Sequence, residues 1–262
     1  MTQPVTAQPL PVLQIITEAA RLHWSHVLVF LAAAALYATP IMLALATLGD
    51  NVTRSPEELT PEIMETLAPR LGMILLIGIP LSAALFAFWT RLTLMGPRAA
   101  LFDQAAGWPF RILRVTGLFL LAWITASVTL IPVSVMLSVL GRSALSSYLI
   151  VFFMVFTIAF YFALFSRWLV ETSLDIPRGS TASSAARAPV SIQAHLRLGA
   201  LLSAIILGLL VIQTLIQTVL ITLGATLTAQ VGTGIFLTIV ITTYASVHAI
   251  VYRLRTVPPL AG

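Results

Sequence analysis

Long apolar runs separated by short polar segments organise the whole chain, at about residues 27–48, 71–90, 115–140, 146–169, 197–223 and 232–252. A helix rising about 1.5 Å per residue needs roughly 20 apolar residues to cross a hydrocarbon core of about 30 Å, so each run is long enough to span. The pattern predicts an all-α fold, a polytopic membrane protein built as a bundle of six transmembrane helices. Gly141, Arg142, Ser143, Ser146 and Ser147 mark a turn that keeps the third and fourth runs apart. The first run is longer than the apolar core of a signal peptide and follows only Arg21, so it reads as an uncleaved first span. Pro40, Pro80 and Pro132 lie within the first three runs, where each removes a backbone hydrogen bond and should kink its helix.

The polar segments repeat one another. Pro97-Arg98 leads to Ala105-Ala106 and Pro109, and Pro177-Arg178 leads at the same offsets to Ala185-Ala186 and Pro189. A Leu-Arg pair follows in each (Leu113-Arg114, Leu196-Arg197), then a glycine (Gly117, Gly199) and a new apolar run. A third copy starts at Pro11, reaches Ala19-Ala20 and enters the first run. The chain thus reads as one transmembrane domain, 1–262, of three pseudo-repeats at about 11–90, 97–169 and 177–252, each an interfacial segment followed by a helix pair. Interfacial segments are expected before helices 1, 3 and 5. In 98–111, Leu101, Phe102, Ala105 and Trp108 should dip into the acyl boundary while Arg98, Asp103 and Arg111 face headgroups. The second copy has Ser180, Thr181, Ser183 and Ser184 where the first has bulk, and is read as binding a partner or lying in water.

Composition agrees with the runs: 59% of residues are hydrophobic and only 9% charged, whereas a soluble domain carries about 25% charged residues. A net charge of +5 would suggest nucleic acid in a soluble chain, but in a membrane chain it has to be read segment by segment. All 14 basic residues are arginines. With the N-terminus inside, eleven fall in cytoplasmic segments, and only Arg54, Arg70 and Arg142 fall outside. Arginine resists translocation, so both termini are expected in the cytoplasm, with the chain in a bacterial inner membrane. Five of the nine acids (Asp50, Glu57, Glu58, Glu62, Glu65) lie in the first outer segment. There Ser55, Pro56 and Glu58 read as a capping box, and Leu59, Ile63 and Leu67 recur every four residues, so a short outer-surface helix is expected. Asn51-Val52-Thr53 matches a glycosylation sequon, a pattern common by chance.

Candidate chemistry is sparse. The chain has no cysteine, which excludes disulfides and thiolate metal sites. No acidic or basic residue falls well inside a run, which argues against proton relays and ion-coupled transport. Zinc-helix, nucleophile-elbow and phosphate-loop motifs are missing. His23 and His26 are three residues apart with no third ligand evident, and read as interfacial residues beside Trp24; no metal or cofactor is expected. Arg167, Glu171 and Asp175 can pair at the cytoplasmic rim, and His248 reads as a helix-packing histidine. The main polar feature is a stripe of Gln213, Thr214, Gln217 and Thr218 in the fifth run opposite Thr238, Thr242 and Ser246 in the sixth. Its candidate members are Gln213, Gln217, Thr238 and Thr242, either as interhelical hydrogen bonds or as a hydrated path. Ala200, Ala204 and Gly208 suggest close helix packing, and Phe152, Phe156 and Phe160 a lipid or packing face.

The repeated segment before the odd-numbered runs, "AALFDQAAGWPFRILRVTG", and the ending "VYRLR" at 251–255 resemble a group of bacterial six-helix inner-membrane proteins related to the membrane domain of glycerophosphoryl diester phosphodiesterases. The family's later segment carries a Ser-Trp and a Thr-basic-Gly element that "SSAARAPVSIQ" lacks, and no catalytic phosphodiesterase domain is present. The resemblance implies fold and membrane residence. The expected function is non-catalytic: organising, assembling with or regulating membrane components through lipid or partner contacts. Arg98, Arg111, Arg114 and Arg197 are the candidates to hold anionic lipid headgroups, a membrane-protein partner or a second copy of the chain. The alternative is a permease or channel for a neutral small solute or lipid.

Overall fold

The apolar runs form helices, and those built on 71–90, 146–169 and 232–252 extend past the run at both ends. A computed structural model describes residues 11–46, 61–102, 107–139, 144–176 and 191–256. Its helices are α1 (Val12–Ser25), α2 (Val27–Ala46), α3 (Pro61–Met95), α4 (Pro97–Phe102), α5 (Trp108–Val139), α6 (Ala144–Ser173), α7 (Ile192–Thr222) and α8 (Thr226–Thr256). Five of them (α3, α5, α6, α7 and α8) are long and apolar enough to cross a membrane among the described residues. The α1–α2 pair, bent by 83°, makes a sixth if taken as one span. The chain is an all-α, multi-pass membrane bundle.

The bend follows from composition. α2 is apolar on every side, whereas α1 carries three stripes: Ile15, Ala19 and Leu22 against the bundle, Leu13, Ile16 and Trp24 exposed, and Gln14, Thr17, Glu18 and Arg21 polar. Such a helix cannot enter hydrocarbon without stranding its polar stripe, so the chain turns where that stripe ends. Ser25 Oγ and His26 Nδ1 both bond the Leu22 carbonyl at 3.1 Å, satisfying an end that α2 does not continue.

Glycine or its equivalent closes three helices among the described residues. Gly96, at φ +86°, ends α3 directly before Pro97, the first residue of α4. Gly224, at φ +75°, lets Ala225 N–H reach back to the Leu220 carbonyl at 2.8 Å and joins α7 to α8 in three residues. Asp175 does the same for α6 at φ +55°, with Ile176 N–H bonding the Glu171 carbonyl at 3.0 Å. A non-glycine residue there costs roughly 1–2 kcal/mol, so its side chain must return something.

Three expected boundaries move. Residues 61–69 do not form a separate surface helix: α3 runs from Pro61 through Pro69, and Leu67 is buried. The link expected at 224–231 shrinks because α8 begins at Thr226. α7 starts at Ile192, capped by Ser191 Oγ, which accepts the Ala194 N–H at 3.3 Å. The capping box and Leu59 of 55–60, the sequon at 51–53, Asp103 and Ala105, the turn at 141–143 and the segment 177–190 lie outside the described residues.

α8 is the axis of the bundle, touching α1, α2, α3, α6 and α7. Alanine pairs four apart form the close-packed faces: Ala83 and Ala87, Ala122 and Ala126, Ala159 and Ala163, Ala245 and Ala249, all without exposure. Inside them, Phe86, Phe119, Phe162, Tyr244 and His248 form a closed ring of five edge-to-face contacts with centroids 4.9–5.8 Å apart. The ring draws side chains from α3, α5, α6 and α8.

Candidate functional site

Because successive long helices alternate in direction, the C-terminal ends of α3, α6 and α8 meet the N-terminal ends of α2, α5 and α7. Most of the described charge gathers at this basic end. Arg111 is fully buried, stacked over Trp108 at 4.8 Å, and donates to Asp175 through Nη2 and, at 3.0 Å, through Nε. This explains the strained turn at Asp175: the carboxylate closing α6 neutralises a guanidinium on α5 that lies out of solvent. Arg111 therefore does not face headgroups as its place in the interfacial segment implied. Trp108, read as interfacial with it, opens α5 instead of lying along the surface. Arg91, also buried, donates to the Ala99 carbonyl at 3.1 Å and ties α3 to α4.

Two further pairs surround these. Arg167 bonds Glu171 at 2.8 Å one turn along α6, and Arg253 of α8 bonds Glu18 of α1. Arg21, Arg98, Arg114 and Arg197 are exposed around the same end. Of the four candidate headgroup contacts, then, Arg98, Arg114 and Arg197 point outward and only Arg111 turns in. A cleft of about 470 Å³ runs along the polar stripe of α1, lined by Gln14, Thr17, Glu18, Arg21, Leu22 and Ser25.

The polar stripe of α8 meets partners other than those its spacing suggested. His23 Nδ1 donates to the Ala19 carbonyl at 2.8 Å, and its Nε2 shares a hydrogen bond of 2.8 Å with the Thr242 hydroxyl, which also lies 2.8 Å from the Thr238 carbonyl. Trp89 Nε1 donates to Ser246 at 2.9 Å, and the His23 and Trp89 rings are tilted by 34° with centroids 5.0 Å apart. Thr238 donates to its own Gly234 carbonyl at 2.9 Å. Thr242 and Ser246 thus bind α8 to α1 and α3. Gln217 of α7 donates instead to Thr233 at 2.6 Å, one turn nearer the short link, and the buried Gln213 Nε2 has no hydrogen-bond partner among the described residues. The small-residue face also shifts by one position: Ala200, Ala204 and Gly208 are exposed, while Gly199 and Ser203 are buried. A Cβ on Gly199 would come within 3.0 Å of the Phe160 Cα. Phe152, Phe156 and Phe160 stack along α6 at 6.3 and 6.5 Å.

Comparison with protein-family models, curated proteins and solved structures finds no match. The site has to be read from its own chemistry. Ser166 Oγ lies 2.6 Å from His248 Nδ1, a serine–imidazole contact across 82 positions that sequence spacing does not reveal. Both side chains are buried, and His248 Nε2 meets no orienting carboxylate among the described residues. No group of three metal-ligating side chains occurs there either, and His26 bonds Ser25 and Leu22 while His23 turns to Thr242. What the basic end presents to its surroundings is positive charge on a rigid rim, beside a helix with an exposed apolar stripe.

Proposed function

We propose that this chain is a non-catalytic integral protein of a bacterial inner membrane, akin to the six-helix proteins its repeated segment resembles. In this reading it organises or assembles with membrane components by holding anionic headgroups or a partner at its basic end, with both termini cytoplasmic. The observation that carries it is the exposure of Arg21, Arg98, Arg114 and Arg197 at the basic end, where α1 also exposes Leu13, Ile16 and Trp24, which suit the acyl boundary. A basic residue near an anionic surface contributes about 1 kcal/mol, so three acting together correspond to about a 100-fold preference.

Changing Arg98, Arg114 and Arg197 together to Gln in the full chain tests this. Mass spectrometry of lipids and proteins co-purifying from native membranes should show loss of anionic-lipid enrichment or of a stoichiometric partner, with the unfolding midpoint unchanged. The same lipids and partners on both proteins would refute the reading.

The Nε2 of Gln213, without a hydrogen-bond partner among the described residues and one turn from Gln217, favours a second reading as a permease for a neutral solute or lipid. Liposome flux that disappears on changing both glutamines to Leu would support it over the first.

A further inference from the structure

Hydroxyls on membrane helices turn back onto the carbonyl one turn earlier when no other partner is at hand. Thr39, Thr93, Thr125, Ser203, Thr214 and Thr238 all do so, at 2.7–2.9 Å. Thr90 and Thr116 do not. Both are buried, and neither hydroxyl has a hydrogen-bond partner among the described residues. His248 uses Nδ1 on Ser166 and leaves Nε2 without one as well.

The helical register sets these groups on one side of the aromatic ring. Thr90 lies one turn beyond Phe86 on α3, Thr116 three residues before Phe119 on α5, and Ser166 one turn beyond Phe162 on α6. Since α3 and α6 run toward the basic end and α5 runs away from it, all three offsets step to the same side of the aromatic ring. His248 is itself a member of that ring. The result is a polar tier with the five aromatic side chains on one side and the Arg111–Asp175 pair on the other. Three buried polar atoms from three helices are left open within it.

We propose that this tier is an enclosed hydration site in which ordered water bridges the Thr90 hydroxyl, the Thr116 hydroxyl and His248 Nε2. The chemistry fits: a buried water makes two to four hydrogen bonds, and hydroxyls supply donor and acceptor in any orientation. A cation is disfavoured because Arg91 adjoins Thr90 and Arg111 lies five residues before Thr116, with no carboxylate in the tier itself. The ligand is neutral and water-sized.

The sign of a mutational effect separates a wet tier from a dry one. Thr→Val keeps shape and removes the hydroxyl. In a dry tier it deletes an unsatisfied group and raises the unfolding midpoint; in a wet tier it breaks a bond to water and lowers it. The expected result is a fall of about 2–4 °C for Thr90→Val and for Thr116→Val, with the double variant losing less than the two together. Thr90→Ser, which retains the hydroxyl, should lose less than Thr90→Val and guards against a failure to fold. Hydroxyl-radical labelling of the full chain in native membranes should oxidise His248 and Phe86 despite their burial, because the radicals form from water beside them. A midpoint unchanged or raised in either Val variant, or no label at His248, overturns the proposal.

Discussion

At the basic end, α8 is buried residue after residue from Tyr244 to Val251, whereas on α7 the positions from Val211 to Leu223 are mostly exposed. Both stretches are apolar and helical, so hydropathy does not separate them. The difference lies in what crosses between helices. Lipid tails are as apolar as leucine, so association within a bilayer depends on close backbone approach and polar contacts. The basic end has the alanine pairs, the aromatic ring, Trp89 on Ser246 and Arg111 on Asp175. Toward its other end α7 reaches α8 through Gln217 on Thr233. Thr214, Thr218 and Thr222 fold back onto their own helix there. One end is held by specific contacts and the other offers a surface to lipid.

The contrast can be broken most directly at Asp175. Replacing it by Ala leaves the buried Arg111 without its carboxylate and should cost about 3 kcal/mol in reversible unfolding by SDS in mixed micelles. Asp175→Gly sharpens the test, since glycine tolerates the left-handed conformation and should recover roughly 1 kcal/mol of that loss. Equal stability of wild type and Asp175→Ala would mean that the ion pair does not hold this end. Next come the close approaches. A Cβ on Gly234 would sit 2.6 Å from the Ala38 Cβ, and one on Gly199 within 3.0 Å of Phe160, so Ala at either should cost about 1–3 kcal/mol. Gly208 has nothing within 4 Å, and Ala there should be neutral or stabilising by up to about 1 kcal/mol. The smallest effect is expected on α7: Gln217→Leu should cost about 0.6 kcal/mol, near the limit of the same unfolding assay.

Hydropathy made the bundle legible because each run reaches the length a bilayer demands. The helix ends were less legible, since Gly96, Asp175 and Gly224 act through backbone conformation that no apolar pattern records. The candidate site was legible as residue types and not as partners. Arg98, Arg114 and Arg197 face outward, but Arg111, in the same segment as Arg98 and Arg114, turns in, because a carboxylate 64 positions away meets it. The stripe of Thr242 and Ser246 was visible from its spacing, yet spacing along one helix cannot say which neighbour faces it. His23 and Trp89 took that place. Small-residue spacing misled by a single position, 100° of rotation, from Gly199 and Ser203 to Ala200 and Ala204. The four inward alanine pairs were obscured by how common alanine is in this chain.

The contacts of α1 also bear on how the chain is made. Glu18 meets Arg253, and His23 meets Thr242, 235 and 219 positions later. α1 therefore acquires these two polar partners only once α8 has been made. Until then the carboxylate of Glu18 and the imidazole of His23 lack Arg253 and Thr242, and a chain cut short before α8 would leave α1 with only its apolar and ring contacts to α2 and α3.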